Sequence, residues 1–185
     1  YMMMAVAASI SLVGRDPLQM RVAVQSLLLY ASIYFFMNLG AFSFVAFMRN
    51  AMGSEEIKDY AGLIRSCPLM TVAMVLVLFS LVGLPPMAGF IGKFRIFQAL
   101  FEAGGPLMMF LLVVAGINTA ISLVYYLRVA KTMCIDPEPD TRGPVSLGFL
   151  PVSYTLLVSF PVLLFGILPS WLVDWAYMAT AQLFT

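Results

Sequence analysis

Four long runs without a charged residue dominate this sequence. They cover residues 22–48, 66–92, 103–127 and 143–173. Each is longer than the roughly 20 residues that an α-helix needs to cross a bilayer. No alternation of polar and apolar residues recurs along the chain, which disfavours strands. The runs therefore predict an all-α membrane protein.

The composition agrees with this class and argues against others. Hydrophobic residues make up 62% of the 185 residues and charged residues 10%, and the mean hydropathy is +0.98, values outside the range of soluble domains. The sequence has no histidine, and Cys67 and Cys134 lie far apart, so no metal site or disulfide is predicted. The net charge of +1 and the lack of a Lys/Arg-rich run predict no nucleic-acid partner.

We expect a single transmembrane domain over residues 1–185 with about five crossings. The predicted helices cover about 1–13, 22–48, 68–101, 106–131 and 150–173, and the third of them is broken. The chain opens on Tyr1 and is apolar from the start without a basic leader. We interpret this start as the tail of a helix that belongs to a longer subunit.

The basic residues predict an orientation. The segments on one side of the expected membrane carry Arg15 and Arg21, and those on the other side carry six: Arg49, Lys58, Arg65, Arg128, Lys131 and Arg142. Lys93 and Arg95 are left out of this comparison. Because basic residues concentrate on the cytoplasmic side, segments 49–66 and 132–150 are predicted to be cytoplasmic. Thr185 is then predicted to lie outside.

The stretch SLVGLPPMAGFIGKF at 80–94 interrupts the second apolar run. Two adjacent prolines remove backbone donors and predict that the helix kinks or stops near Leu84. Glycines on both sides permit unusual backbone conformations and close approaches. The residues predicted to form and support the break are Gly83, Pro85, Pro86, Gly89 and Gly92. Irregular backbone in lipid must be satisfied by protein or water, so the break is expected inside a bundle or beside a wet cavity.

Lys93 follows the break, and the residues alone allow two interpretations. A lysine within the hydrocarbon costs roughly 2.5 to 3.5 kcal/mol on insertion scales, so one at that depth should face the interior and have a function. Alternatively, the run is one kinked span, and Lys93 and Arg95 extend to the far interface. The depth of Lys93 distinguishes the two.

A second polar pattern lies in the first long run. Tyr30, Tyr34 and Asn38 recur at four-residue spacing and would share one face of a helix. They are candidates for lining a water path. Interhelical packing with satisfied hydrogen bonds explains the same pattern.

Several motifs together resemble a known family. They are YFFMNLGAF at 34–42, IKDYAGLIRSCP at 57–68, SLVGLPPMAGFIGKF at 80–94 and SLVYYLRVAKTM at 122–133. In this order and spacing they resemble subunit N of the proton-translocating NADH-quinone oxidoreductase, respiratory complex I, one of the antiporter-like membrane subunits. The resemblance covers most of residues 22–133 and weakens over the last helix.

The resemblance implies a fold and a role. The chain would be the second of two inverted repeats, with residues 68–101 as its broken helix, and Lys93 would be the proton-transfer lysine of a half-channel. It would be a non-redox subunit in a bacterial inner membrane, with its C-terminus on the periplasmic side. This chain alone is expected to catalyse nothing.

The same resemblance implies partners and cofactors. NADH, FMN, iron–sulfur clusters and quinone are expected in other subunits of the complex, and none in this chain. The expected partners are other membrane subunits, including adjacent antiporter-like ones, the upstream part of the same subunit and the bilayer. Related subunits of multisubunit Na+/H+ antiporters and membrane-bound hydrogenases share the broken helix and its lysine and remain alternatives, as does a scaffold without transport.

Overall fold

The structure is a computed structural model that describes residues 1–139, 142–143, 145 and 147–183. Within these residues all regular structure is helical, which confirms the predicted class. The α-helices are α1 Met2–Ser11, α2 Pro17–Met52, α3 Leu63–Ser66, α4 Pro68–Val82, α5 Ala88–Ala103, α6 Gly105–Cys134, α7 Phe149–Ile167 and α8 Ser170–Leu183, and a 3₁₀ helix covers Ile57–Tyr60. Thr185, on which the prediction for the C-terminus depends, lies outside the described residues.

The predicted break in the second run is confirmed. α4 ends at Val82 and α5 begins at Ala88, with a cis peptide bond between Pro85 and Pro86 in the connection. At 1.5 Å per residue the two halves are about 22 Å and about 24 Å long. α2, α6 and α7 are long and apolar enough to cross a membrane by themselves, whereas α1 and α4 are apolar but shorter.

The bounds predicted for the first complete helix were too narrow. α2 begins where the Asp16 carboxylate accepts the N–H groups of Leu18 and Gln19 at 3.0 and 3.1 Å, with Pro17 in the first turn. It continues to Gly53, whose φ of 71° ends it in the left-handed conformation. A charge-free run marks only the apolar part of a helix, and the capping residues extend it by about a turn at each end.

The helix predicted over residues 150–173 was wrong, because two helices occupy this stretch. α7 stops at Ile167 and α8 starts at Ser170. Pro169 lies between them, and a proline disfavours the α conformation in the residue before it. Leu168 accordingly has φ −120° and ψ 69°.

The long helix α2 is the centre of the bundle and contacts α1, α4, α5, α7 and α8. One buried cluster surrounds its first half, including Leu29, Ile33 and Met37, and a second surrounds Phe44 and Met48. By contrast, α6 leaves a row of large apolar side chains exposed: Val113, Ile117, Ile121 and Val124. Such a row suits lipid or a neighbouring helix rather than water.

The two predicted cytoplasmic segments meet at one end of the bundle. Gly62 N–H donates to the carbonyl of Thr132 at 3.0 Å. The Arg142 side chain, 8% exposed, donates to the main-chain carbonyls of Asp59 and Ala61 at 3.0 and 2.8 Å. These bonds place segment 57–66 and the end of α6 on the same face, which we call the loop end.

Candidate functional site

Lys93 lies in the second turn of α5 and points back towards the end of α4. Its side chain is buried, with the residue 5% exposed. Nζ donates to the carbonyl oxygens of Leu81 at 2.8 Å and Val82 at 2.9 Å, the last two residues of α4. This is the geometry of a cation turned into the bundle, and it differs from that of a lysine extended to an interface.

The local sequence explains why two carbonyls are available. Gly83 has φ +90° and ends α4, and the N–H groups of Gly83 and Leu84 both donate to the carbonyl of Phe79 at 3.0 Å. The carbonyls of Leu81 and Val82 therefore have no partner in a continuing helix. A Cβ at position 83 would lie 3.1 Å from Cδ of Lys93, so glycine leaves room for the lysine stem as well.

The first turn of α5 lies directly against the last turn of α4. The N–H of Gly89 donates to Oγ of Ser80 at 2.9 Å. A Cβ at position 89 would overlap the carbonyl oxygen of Ser80. Only glycine permits this approach, which brings Lys93 within reach of the carbonyls.

Two further close approaches fix the break within the bundle. A Cβ on Gly92 would lie 2.8 Å from Cδ2 of Tyr30 in α2, and one on Gly166 in α7 would overlap the carbonyl oxygen of Pro86. The backbone of the break is thus covered by α7, and the second turn of α5 beside it is covered by α2. Such packing is what irregular backbone in a membrane requires.

The Lys93 ammonium lies against helix-terminal dipoles and an aromatic ring. The carbonyl end of a helix carries partial negative charge, which favours a cation. The ring of Tyr1 lies 4.5 Å from Nζ, measured to its centroid, which adds a cation–π contact. Among the described residues no carboxylate forms an ion pair with Lys93. Glu102 in the same helix instead accepts a bond from Gln98.

Two hydroxyl groups lie beyond the contact between Lys93 and the Tyr1 ring. The Tyr1 hydroxyl lies 2.7 Å from Oγ1 of Thr119 and donates to the carbonyl of Ala115 at 3.0 Å. The rings of Tyr1 and Tyr30 are 6.1 Å apart, and Tyr30 stacks on Tyr34 with their centroids 5.9 Å apart. The buried lysine is thus bordered by tyrosines on the side of α1 and α2.

The three predicted water-path residues lie in different surroundings. Tyr30 is buried, whereas Tyr34 is 40% exposed. Asn38 donates to the carbonyl of Tyr34 at 2.8 Å, and both line an open groove along α2. Their proposed role in a water path stays a prediction. Arg95 lies on the opposite face from Lys93, in a small space between α2 and α8 that Gln25 and Val173 also line.

Sequence reasoning missed Ser80 and Gly166. Ser80 is nine residues from the glycine whose N–H it accepts, so no local periodicity relates them. Gly166 lies in an apolar helix far along the chain, where a small residue is a general sign of close helix packing in membranes. A sign of this kind marks a contact in general and cannot identify the break as the partner.

Comparison with known proteins identifies the family. The family model described as NADH:quinone oxidoreductase/Mrp antiporter, transmembrane, matches residues 3–119. The chain is 41% identical over 169 residues to NADH-quinone oxidoreductase subunit N of Anaeromyxobacter sp. (strain Fw109-5), covering 87% of this chain and 32% of that protein. It is 35% identical over 185 residues to the protein of the same name from Desulfitobacterium hafniense, covering 97% and 36%. The chain thus spans about a third of the length of these relatives.

Two solved structures share the fold. A chain of respiratory complex I from Thermus thermophilus matches with a TM-score of 0.69 and 23% identity, over 92% of this chain and 44% of that one. A chain of the Mrp complex from Dietzia sp. DQ12-45-1b matches with a TM-score of 0.76 and 18% identity, over 88% and 38%. At these identities the likeness concerns the fold alone. The predicted resemblance is confirmed, and the chain belongs to the NADH:quinone oxidoreductase/Mrp antiporter family of transmembrane subunits.

Proposed function

We propose that this chain is part of a proton-translocating membrane subunit of an NADH-quinone oxidoreductase, and that Lys93 carries the proton. The observation behind this proposal is that Nζ of a buried lysine is bonded to two helix-terminal carbonyls and, among the described residues, to no carboxylate. The names of the curated relatives favour this complex over an antiporter.

The chemistry at Nζ is a gain and loss of one proton. Carbonyl oxygens cannot be protonated at physiological pH, so they favour the ammonium form without competing for its proton. A charge that approaches or withdraws outside this cluster would then decide whether Lys93 holds or releases the proton. Lys93 can therefore respond to electrostatic changes without any redox group in this chain.

The tyrosines beside Lys93 suggest one side from which a proton could be exchanged. The Tyr1 and Thr119 hydroxyls are hydrogen bonded to each other, and each can both donate and accept. Tyr30, Tyr34 and Asn38 follow along α2 towards an open groove. We infer that these hydroxyl and amide groups connect Lys93 with the rest of the half-channel.

The wider setting of the chain belongs to the same proposal. NADH, FMN, iron–sulfur clusters and quinone would reside in other subunits, so this chain would act as a non-redox part of the translocase. Its partners would be adjacent membrane subunits and the remaining part of its own subunit. It would reside in a bacterial inner membrane with the loop end in the cytoplasm, in agreement with the distribution of basic residues.

The decisive experiment replaces Lys93 and measures proton movement in the assembled complex. Lys93→Met removes the titratable group, and Lys93→Arg retains a charge that cannot cycle, because guanidinium stays protonated. We expect both variants to lower the initial rate of NADH-driven proton translocation in inverted vesicles by about two orders of magnitude or more. Rates are normalised to assembled complex.

The matched control is Lys58→Met. Lys58 is an exposed lysine at the loop end, with its side chain 74% exposed and paired with Glu56. The complex with Lys58→Met should translocate protons at the parental rate. A Lys93→Arg variant that also does so would refute the proton-transfer role.

A further inference from the structure

The first turn of α5 has no capping side chain of its own. Its N-cap residue is Met87, which makes no side-chain bond to the helix. The first N–H groups of a helix have no acceptor within it. Phe90 N–H is satisfied by the carbonyl of Met87 at 3.1 Å. The N–H of Gly89 needs an acceptor from elsewhere, since an unpaired buried N–H is costly.

Ser80 supplies that acceptor from another helix. Its Oγ accepts the Gly89 N–H at 2.9 Å. Gly89 is the second residue of α5, a position whose N–H commonly bonds to a capping side chain. Ser80 is 0% exposed and Gly89 is buried. Ser80 therefore acts as an N-cap for α5 although it belongs to α4.

This cap lies one helical turn from Lys93. Gly89 and Lys93 are four residues apart and share one face of α5. Ser80 directly precedes Leu81 and Val82, whose carbonyls accept the bonds of Nζ. The end of α4 and the start of α5 are thus joined twice. The Gly89 N–H of α5 donates to the Ser80 hydroxyl of α4, and the Lys93 ammonium of α5 donates to two carbonyls of α4.

We propose that Ser80 is a positioning residue for Lys93. The hydroxyl oxygen of Ser80 fixes the offset between the two halves of the broken helix. This inference rests on the proposed function of Lys93. A helix half that is free to slide or rotate would carry Nζ away from the carbonyls, because Lys93 follows the backbone of α5. The hydroxyl of Ser80 ties the second residue of α5 to the end of α4.

The test compares three variants in the assembled complex. Ser80→Ala removes the oxygen, and it should lower the rate of proton translocation about tenfold, since the buried N–H loses its acceptor. Ser80→Thr keeps the hydroxyl and should recover most of the parental rate. Ser43→Ala is the matched control: Ser43 is also buried, but its hydroxyl bonds to the Leu39 carbonyl of its own helix. It should translocate protons like the parent.

Hydrogen exchange gives a second readout that does not depend on transport. In Ser80→Ala the peptide containing Gly89 should exchange faster than in the parent, and Ser80→Thr should restore its protection. A parental translocation rate in Ser80→Ala overturns the proposal. Unchanged exchange around Gly89 in that variant overturns it as well.

The outcomes also separate this inference from the proposed function. If Lys93→Met stops translocation and Ser80→Ala does not reduce it, only the positioning role fails. If Lys93→Met translocates at the parental rate, the proposed function fails, and the positioning role for proton transfer fails with it.

Discussion

The helix α4 has a cation near each end, Arg142 with its side chain 8% exposed and the buried Lys93, and the two differ in chemistry. Next to its start, Arg142 is bonded to the Glu138 carboxylate at 2.6 Å, to Oγ of Ser66 at 3.3 Å and to two main-chain carbonyls at the loop end. At its other end, the hydrogen bonds of the Lys93 ammonium within the described part of the chain go to two main-chain carbonyls. The first cation has a counter-charge and the second has dipoles.

This difference is the one expected between a structural cation, Arg142, and the proton carrier that we propose, Lys93. Arg142 forms five hydrogen bonds, which occupy the five donors of a guanidinium. It cannot lose its proton in a protein. The ammonium of Lys93 can, and no carboxylate among the residues that the structure describes forms an ion pair with it. The guanidinium at the loop end holds segments together, whereas the break holds the lysine for which we propose a change in protonation.

The largest effect on assembly and stability is expected from the glycine that lets the two halves touch. In Gly89→Ala the new Cβ would overlap the carbonyl oxygen of Ser80, which belongs to helix backbone and cannot move aside. We expect the halves to separate and the amount of assembled complex to fall severalfold, as seen by native gel electrophoresis of solubilised membranes. Gly116→Ala is the matched control, because nothing lies within 4 Å of its added Cβ. Equal assembly of the two variants would contradict the close contact.

The sequence was sufficient to locate this break and its lysine. Adjacent prolines and nearby glycines have local backbone consequences, and a lysine next to a charge-free run is costly if it lies within the hydrocarbon. The sequence could not say which groups Lys93 meets. That depends on how α4 and α5 lie side by side, which brings Ser80 to Gly89 and Lys93 to Leu81.

Boundaries were predicted less well than the elements themselves. The charge-free runs placed the start of α2 at Val22, because Asp16 and Arg21 were counted as loop residues, although Asp16 is a helix cap. The split at Pro169 was overlooked because the apolar run continues through it. Charge and hydropathy indicate where a helix is buried, whereas caps and prolines determine where it ends.

An intermediate effect on stability is expected from replacing Arg142, the structural cation. Arg142→Lys keeps the positive charge but has three donors in place of five, so bonds to the Asp59 and Ala61 carbonyls are lost. The opening of segment 57–66 should become easier by about 1 to 3 kcal/mol, measured as faster hydrogen exchange there. Translocation per assembled complex should stay close to parental.

The control for this variant is Arg49→Lys at the same end of the bundle. Arg49 pairs with Glu55 at 2.9 Å, and their side chains are 67% and 54% exposed. Exposed ion pairs contribute little to stability. Exchange in segment 57–66 should therefore remain unchanged. If Arg142→Lys also left the exchange in segment 57–66 unchanged, the stability of the loop end would not depend on the Arg142 guanidinium.

The smallest effect is a loss of stability at acid pH, which should arise at the loop end rather than at the break. Hydrogen bonds from Arg142 and then from Ser66 lower the pKa of Glu138 below its ordinary value of 4.5. A carboxyl whose pKa is lowered by folding contributes stability above its ordinary pKa, and this contribution is lost as the pH falls through the lowered value. Glu138→Gln cannot titrate, so it should unfold at a lower temperature than the parent at neutral pH. The difference in melting temperature should shrink as the pH is lowered below 4.5. A difference in melting temperature that stays constant with pH would show that the Glu138 charge does not stabilise the loop end. Arg142 and Lys93 would then differ only in the number and arrangement of their hydrogen-bond donors, and the counter-charge of Arg142 would have no part in the contrast.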